Sequence, residues 1–244
     1  MKEIDIEEVA KKYNEIDVIW NENDKWHVRV QKVIQEFILN VFKSIENHQD
    51  LKILNAGSAG FSYNLNEGNI LHIDIAKDKI SHLKNSLVAD IQNIPLPQNQ
   101  FDLIVCVGSV INYCDPIKVF GEFNRVLKRS GYLILEFENS FTLELFGKKT
   151  FNRKATFVNS FYNGLPESVW FFSESYIKEL AELHGFRMLS VKRCHIISPL
   201  IYRIFKNEKF AARFGSWDKL FCYIPFLRKF SSNSIILFYR ELLC

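Results

Sequence analysis

Apolar residues recur along this chain with two different rhythms, and the change falls near residue 50. Before it, Val30, Val33, Ile34, Phe37, Ile38, Val41, Phe42 and Ile45 return every three or four positions, the period of a helix that buries one stripe. Residues 1–50 therefore read as a helical cap ahead of a main domain, residues 51–244. After it come short, nearly continuous apolar runs: Leu51 to Asn55, Asn69 to Ile73, Ser86 to Ala89, Phe101 to Val107 and Tyr132 to Phe137. Polar, helix-like segments separate these runs. Strands that are apolar on both faces and alternate with helices predict a parallel sheet covered on both sides, an α/β fold. The helix from Pro116 to Leu127 is expected to end through Lys128, Arg129, Ser130 and Gly131, since basic residues followed by glycine suit a helix C-terminus.

Two aromatic-rich insertions break this rhythm. Residues 139–172 carry Phe141, Phe146, Phe151, Phe157, Phe161, Tyr162 and Trp170, interrupted by Asn163-Gly164-Leu165-Pro166. Following the fifth strand, they sit where the C-terminal strand edges open, placed to close over a ligand. Ser173 reads as the N-cap of a helix from Glu174 to His184 that Gly185 ends, with Phe186 to Cys194 as the sixth strand and Ser234 to Glu241 as the last. Between them, residues 196–230 interleave aromatic and aliphatic side chains with Arg203, Lys206, Lys209, Arg213, Lys219, Arg228 and Lys229. Such a segment rests on an anionic membrane surface, encloses a greasy small molecule, or folds as a lid onto its own core with the cations outward; the last is the expectation here.

Composition narrows the function classes. A chain of 244 residues, 48% hydrophobic, suffices for one elaborated domain. A formal charge of +3, with 31 basic against 28 acidic residues, makes nucleic acid an unexpected partner. Five cysteines without a C-x-x-C pair, and histidines without metal spacing, lead us to expect no metal and free thiols in a cytoplasmic protein. The acidic N-terminus lacks a signal-peptide core, and no run of 18 uncharged apolar residues predicts a membrane span.

The chemistry concentrates after the first strand. Lys52 to Gly60 read as an apolar strand running into a turn of small residues, and Asp74 closes the next strand. A turn that lets backbone approach a ligand, with a carboxylate one strand away, forms a nucleoside pocket in which the acid accepts from ribose hydroxyls. Ala59 and Ser62 stand where the dinucleotide fingerprint needs glycine, so a nucleoside without phosphates fits better.

These motifs, in the order KILNAGSAG, ILHIDIAKDKI, SLVADIQNIPLPQNQFDLIVCVGSVINYC and EFNRVLKRSGYLILEFE, resemble the class I S-adenosylmethionine-dependent methyltransferases, in the small-molecule, type 11 branch. The resemblance implies a Rossmann-like, seven-stranded, mostly parallel sheet of order 3-2-1-4-5-7-6 whose last strand is antiparallel, with S-adenosylmethionine as cofactor and a small organic acceptor, apolar or aromatic, methylated at oxygen, nitrogen or carbon. It assigns Asn55, Ala56, Gly57, Ser58 and Ala59 to the cofactor turn, Asp74 and Ile75 to the ribose, Asp90 and Ile91 to the adenine, and Val107, Gly108 and Ser109 to the cleft lining. Asn55 and Ala59 depart from the family's usual acid and glycine. Tyr13 and Trp26 resemble aromatics that cover the methionine end.

Because the transferred carbon is already activated, alignment and exclusion of water carry the reaction and no obligatory catalytic residue is implied. Asn112 and Tyr113 either hold the acceptor or cap and pack the following helix, while Glu138 and His195, at the same sheet edge, either orient or deprotonate the acceptor or serve the structure. Cys114 has no activating neighbour in sequence and reads as an inert thiol. Two rival readings remain: a cofactor-binding protein without catalysis, and a nicotinamide-dependent oxidoreductase. The absent pyrophosphate glycines and Tyr-x-x-x-Lys pair count against the oxidoreductase. No Pro-Pro-aromatic segment follows the fourth strand, where Gly108-Ser109-Val110-Ile111 stands, which disfavours nucleic-acid methylation.

Overall fold

The computed structural model describes residues 4–241 apart from 21, 23, 24, 163, 164, 206 and 222. Two cap helices, α1 (Ile6–Glu15) and α2 (Lys25–Ser44), precede strands β1 (Ile53–Ala56) and β2 (Ile70–Asp74). A short helix α3 (Lys77–Ile80), strands β3 (Ser86–Val88) and β4 (Phe101–Cys106), helix α4 (Pro116–Val126) and strand β5 (Leu127–Glu138) follow. A hairpin, β6 (Ala155–Tyr162) and β7 (Leu165–Phe172), comes before helix α5 (Glu174–Leu183) and strand β8 (Phe186–Cys194). The chain closes through α6 (Ser198–Phe205), α7 (Glu208–Ala212), α8 (Gly215–Phe221) and β9 (Asn233–Arg240).

Seven strands form one sheet in the order β3-β2-β1-β4-β5-β9-β8, and the hairpin stands apart as its own two-stranded sheet. With the hairpin set aside, this is the expected order, parallel from β3 to β5. It is antiparallel where β9 pairs with β5 and β8.

Strand alternation splits the core. On one face Ile53, Leu103, Val105 and Ile134 meet Val30, Ile34, Ile38 and Val41 of α2, the stripe predicted for that helix. On the other, Leu54, Ile104, Cys106 and Leu135 meet Val119, Phe120, Phe123 and Val126 of α4. Asp115 starts α4 by accepting the Ile117 N–H at 3.0 Å, with Pro116 beginning the helix. Ser173 likewise caps α5, accepting from Tyr176 N, and Gly185 follows it at φ +75°.

The end of α4 falls within one residue of the predicted Leu127, but the turn expected after it is corrected. The helix stops at Val126, and Lys128 to Gly131 lie in the β5 span, where the Lys128 ammonium bridges Asp102 at 2.8 Å. Of the Asn163-Gly164-Leu165-Pro166 turn, the first two residues lie outside the described residues, and Leu165 and Pro166 open β7. The second insertion buries Ile196, Ala211, Ala212 and Phe230 and leaves Ile204, Phe205, Trp217, Leu220, Tyr223, Ile224 and Phe226 exposed. Among the described residues no helix is long and apolar enough to cross a membrane.

Candidate functional site

A cleft opens at the C-terminal edge of the parallel strands, where a doubly wound sheet presents its loops. Its first wall is the turn after β1. Gly57 and Ser58 both donate their backbone N–H to the Ile73 carbonyl, at 2.8 and 3.2 Å, so the turn is tied to the neighbouring strand. Gly57 sits at φ +72°, and a side chain there would drive its Cβ to 2.5 Å from the Val110 methyls. Bare backbone is what this wall requires.

Asp74 closes the turn from below. Its Oδ2 accepts the Ala59 N–H and its Oδ1 the Ala76 N–H, both at 2.8 Å. Burial raises the carboxyl above its usual range, and three backbone amides pull it part of the way back. Three amide donors leave the carboxylate acceptor capacity to spare, and the residue lines the cleft, so ribose hydroxyls would find an acceptor here. Ala59 is itself left-handed at φ +44°, the conformation that makes glycine usual at this position.

The remaining cofactor candidates divide into two groups. Gly57, Ser58, Ala59, Asp74, Ile75, Asp90, Ile91, Val107, Gly108 and Ser109 line the cleft, whereas Asn55 and Ala56 stand behind it. Buried Asn55 acts through its amide, donating to the Phe61 carbonyl at 2.5 Å and so closing the turn loop. Asp90 accepts from Gln92 N at 2.9 Å, and Gln92 in turn accepts the Asp115 N–H at 2.8 Å, which joins the loops after β3 and β4. These residues would hold an adenosine: a glycine wall too tight for a Cβ, a carboxylate with spare acceptor capacity, and a second acid across the cleft.

Gly108 and Ser109 form the second wall with successive left-handed residues, φ +81° and +59°. The Ser109 N–H donates to Glu136 Oε2 at 2.6 Å, and Asn233 Nδ2 donates to Glu136 Oε1 at 2.7 Å. Burial raises the Glu136 carboxyl, against the pull of these donors. Trp20, from the segment joining α1 to α2, covers this wall: its Cζ2 lies 3.7 Å from where a Cβ on Gly108 would stand. The other predicted cover, Trp26, has a side chain outside the described residues.

Beyond Ser109 the cleft becomes acidic and aromatic. Tyr113 donates to Glu167 Oε2 at 2.5 Å, Tyr13 lies 3.1 Å from the Tyr113 hydroxyl, and Lys12 bridges the same Glu167 oxygen at 2.8 Å. Burial, then the nearby Tyr13 and Glu167, raise Tyr113 well above its usual range, so it remains a neutral phenol. Glu138 also lines this end, and no hydrogen bond or ion pair described here reaches its carboxyl. Burial, then repulsion from Glu167, Glu136 and Glu144, hold it well above the ordinary carboxylate range.

Asn112 and His195 are not in the cleft. Asn112 is fully buried behind it, accepting from Glu138 N at 3.1 Å and donating to the Trp170 carbonyl. His195, also buried, turns inward at φ +54°; its Nδ1 meets Ser198 Oγ at 2.9 Å and lies 3.4 Å from Asp218. Burial lowers its basicity against the pull of Asp218, whose Oδ1 gathers the N–H groups of Ile196, Ile197 and Ser198. Both serve the structure. Cys114 borders the cleft as a thiol that burial pushes well above its usual range, which disfavours the thiolate a nucleophile needs.

Sequence reasoning missed Trp20, Glu136, Glu167 and Asn233. Only Glu136 left a trace, as a lone acid within an apolar strand.

The fold is that of a Rossmann-like α/β protein with a cleft at the C-terminal edge of its parallel strands. Residues 55–135 match the methyltransferase domain family. No curated protein sequence matches the chain. Among solved structures, a putative S-adenosylmethionine dependent methyltransferase from Listeria monocytogenes is 12% identical with a TM-score of 0.58, covering 86% of this chain and 100% of that one. The [4+2]-cyclase SpnF is 14% identical with a TM-score of 0.59 over 100% of both chains. The 1,6-didemethyltoxoflavin-N1-methyltransferase of Burkholderia thailandensis, solved with S-adenosylhomocysteine, is 10% identical with a TM-score of 0.56, covering 97% of this chain and 87% of that one. The chain has the fold of the class I S-adenosylmethionine-dependent methyltransferases, and a third of it matches the methyltransferase domain model.

Proposed function

We propose that this protein moves a methyl group from S-adenosylmethionine to a small organic acceptor, and that the acceptor is an amine. The observation that carries this reading is the composition of the far end of the cleft: Glu136, Glu138 and Glu167 line it with Tyr13, Tyr113 and Trp20, and Lys12 pairs with Glu167. A site with excess acid and aromatic faces favours a cation, which a protonated amine brings. When bound, the cofactor supplies a methyl group on a positively charged sulfur.

The chain's own residues then have four tasks. Gly57, Ala59, Asp74 and Asp90 hold the nucleoside through backbone and carboxylates. Tyr113, its proton committed to Glu167 and one lone pair taken by the Tyr13 hydroxyl, presents its remaining lone pair to an acceptor N–H. Glu138 is the proton acceptor: its raised basicity suits it to take the proton that the ammonium sheds before its nitrogen lone pair attacks the methyl carbon, the carbon–sulfur bond breaking as the carbon–nitrogen bond forms and neutral S-adenosylhomocysteine leaving. Trp20 and Val30 help exclude water, so alignment contributes most of the rate.

The test is incubation of the protein with methyl-labelled S-adenosylmethionine and a panel of amines, phenols and carboxylic acids. Label in amines supports the reading; label confined to phenols or acids refutes the acceptor class. A second reading, a cofactor-holding protein that moves no methyl group, is favoured by the full-length likeness to SpnF, named for a cyclisation. Tight S-adenosylhomocysteine binding with no label transferred to any class would select it.

A further inference from the structure

The second insertion displays an apolar surface where a lid would hide one. Of the thirteen large apolar side chains exposed among the described residues, seven fall between 204 and 226: Ile204, Phe205, Trp217, Leu220, Tyr223, Ile224 and Phe226. Exposure runs from 44% at Ile224 to 85% at Tyr223. Scattered exposed hydrophobics are ordinary, but this clustering on one segment marks an interaction surface. Ring contacts connect the three helices into one piece: Phe205 to Phe210 at 5.0 Å, Phe210 to Phe214 at 5.3 Å and Phe214 to Trp217 at 5.9 Å.

Charge indicates what would cover it. Residues 196–230 contain seven basic residues against two acidic ones, Glu208 and Asp218. Asp218 is spent internally on the amides that begin α6, so it offers nothing outward. Lys209, Arg213, Arg228 and Lys229 are exposed, and no described ion pair engages them. Aromatic and aliphatic side chains beside unpaired cations suit an interface with an apolar interior and an anionic rim. A folded protein partner would need carboxylates and pockets matched to each of these cations, whereas a lipid surface supplies both features without register. None of the described helices can span a bilayer, so attachment would be at the surface.

We propose that α6, α7, α8 and the turn through Phe226 dock on an anionic phospholipid surface, with Trp217, Leu220, Tyr223 and Phe226 entering the headgroup boundary and Lys209, Arg213, Arg228 and Lys229 meeting the lipid phosphates. This inference is independent of the acceptor and of methyl transfer, since it uses no residue of the cleft.

The experiment is sedimentation of the whole protein with vesicles of phosphatidylcholine alone and of phosphatidylcholine mixed with phosphatidylglycerol. Binding to the mixed vesicles is expected, weakened by added salt and much poorer on the neutral ones. The pairs Trp217→Ser with Leu220→Ser, and Lys209→Glu with Arg213→Glu, should each lower partitioning about tenfold or more. S-adenosylhomocysteine binding, read separately, should be unchanged in both. Absence of binding to either vesicle, or equal binding to both, overturns the proposal. So does a wild-type dimer in size-exclusion chromatography that the serine pair converts to monomer, because a second copy would then cover this face. The wild-type titration stands without any variant, so a folding failure of the substitutions does not shelter the idea.

Discussion

Asp74→Asn separates the two duties of this residue. In the wild type one carboxylate oxygen accepts the Ala59 amide and the other the Ala76 amide. An asparagine retains one acceptor, and whichever way its amide turns, its NH₂ faces a backbone N–H. The stranded donor costs about 1–3 kcal/mol. Burial already disfavours the charge at this site, so neutralising it returns part of the loss, and we expect a net destabilisation of about 1–2 kcal/mol. At ~2–4 °C per kcal/mol for a chain of this size, the melting midpoint should fall by about 2–8 °C. Affinity for S-adenosylhomocysteine should fall further, because ribose hydroxyls would lose a charged acceptor worth about 1–3 kcal/mol, roughly 5- to 150-fold in Kd. Urea unfolding measures the first quantity and calorimetric titration the second. If stability drops while the Kd stays within a factor of two, Asp74 is only a clamp on the turn, and the nucleoside reading of the cleft fails.

Ala59→Gly should raise stability by up to about 1 kcal/mol, since release from a left-handed alanine outweighs the entropy glycine gains when unfolded; a clear loss in thermal melts would show that the methyl is needed for packing. Asn55→Asp, the residue usual in the resembling family, should destabilise by about 2–4 kcal/mol, because a buried carboxylate would replace the N–H donor to the Phe61 carbonyl; denaturant unfolding at neutral pH would expose an error by finding the variant unharmed. Glu138→Gln should lower kcat while stabilising the fold at neutral pH. The native carboxyl is raised, so its contribution is present at low pH and is lost as pH rises through the folded value; the wild-type rate should rise with pH over that same limb, above the ordinary carboxylate range, and a glutamine variant keeping the limb would remove Glu138 from the reaction.

The sheet was legible because parallel strands buried on both faces leave long apolar runs that little else produces, and Asp74 was legible because it ends one of them. Asn112 and His195 were assigned correctly to the functional edge by topology, yet side-chain direction there is set by the 3₁₀ turn Val110–Tyr113 and by a left-handed backbone at residue 195, neither of which leaves a periodic signal. The last residue of α4 was read to within one position, but the chain's exit from it was not: Lys128, Arg129 and Gly131 are sound helix-ending chemistry, yet Leu127 already pairs with Phe101, and pairing with β4 and β9 resumes at Tyr132, which carries the stretch between into the β5 span. Glu136 lay within a recognised strand. Only its neighbours in the sheet, β9 bringing Asn233 and the loop after β4 bringing the Ser109 amide, reveal that a fully buried acid supports a cleft wall.

The two ends of the cleft have different origins in the chain. The glycine turn, Asp74, Asp90 and the Gly108–Ser109 wall all fall inside residues 55–135, the segment matched to the methyltransferase domain, and that match stops one residue short of Glu136. Glu136 and Glu138, and Lys12, Tyr13, Glu167 and Asn233 with them, lie outside it. A ligand shared across a fold constrains one set of residues, while a ligand particular to one protein constrains another, so the acceptor end had to be read from geometry alone. Its coherence comes from a strap between distant segments. Lys12 of α1 holds Glu167 of the hairpin, and Glu167 holds Tyr113 of the β4 loop, so three elements far apart in sequence converge on one carboxylate. That strap touches the acceptor end and not the nucleoside turn. Loosening it would alter how an acceptor is positioned and leave the grip on the nucleoside intact.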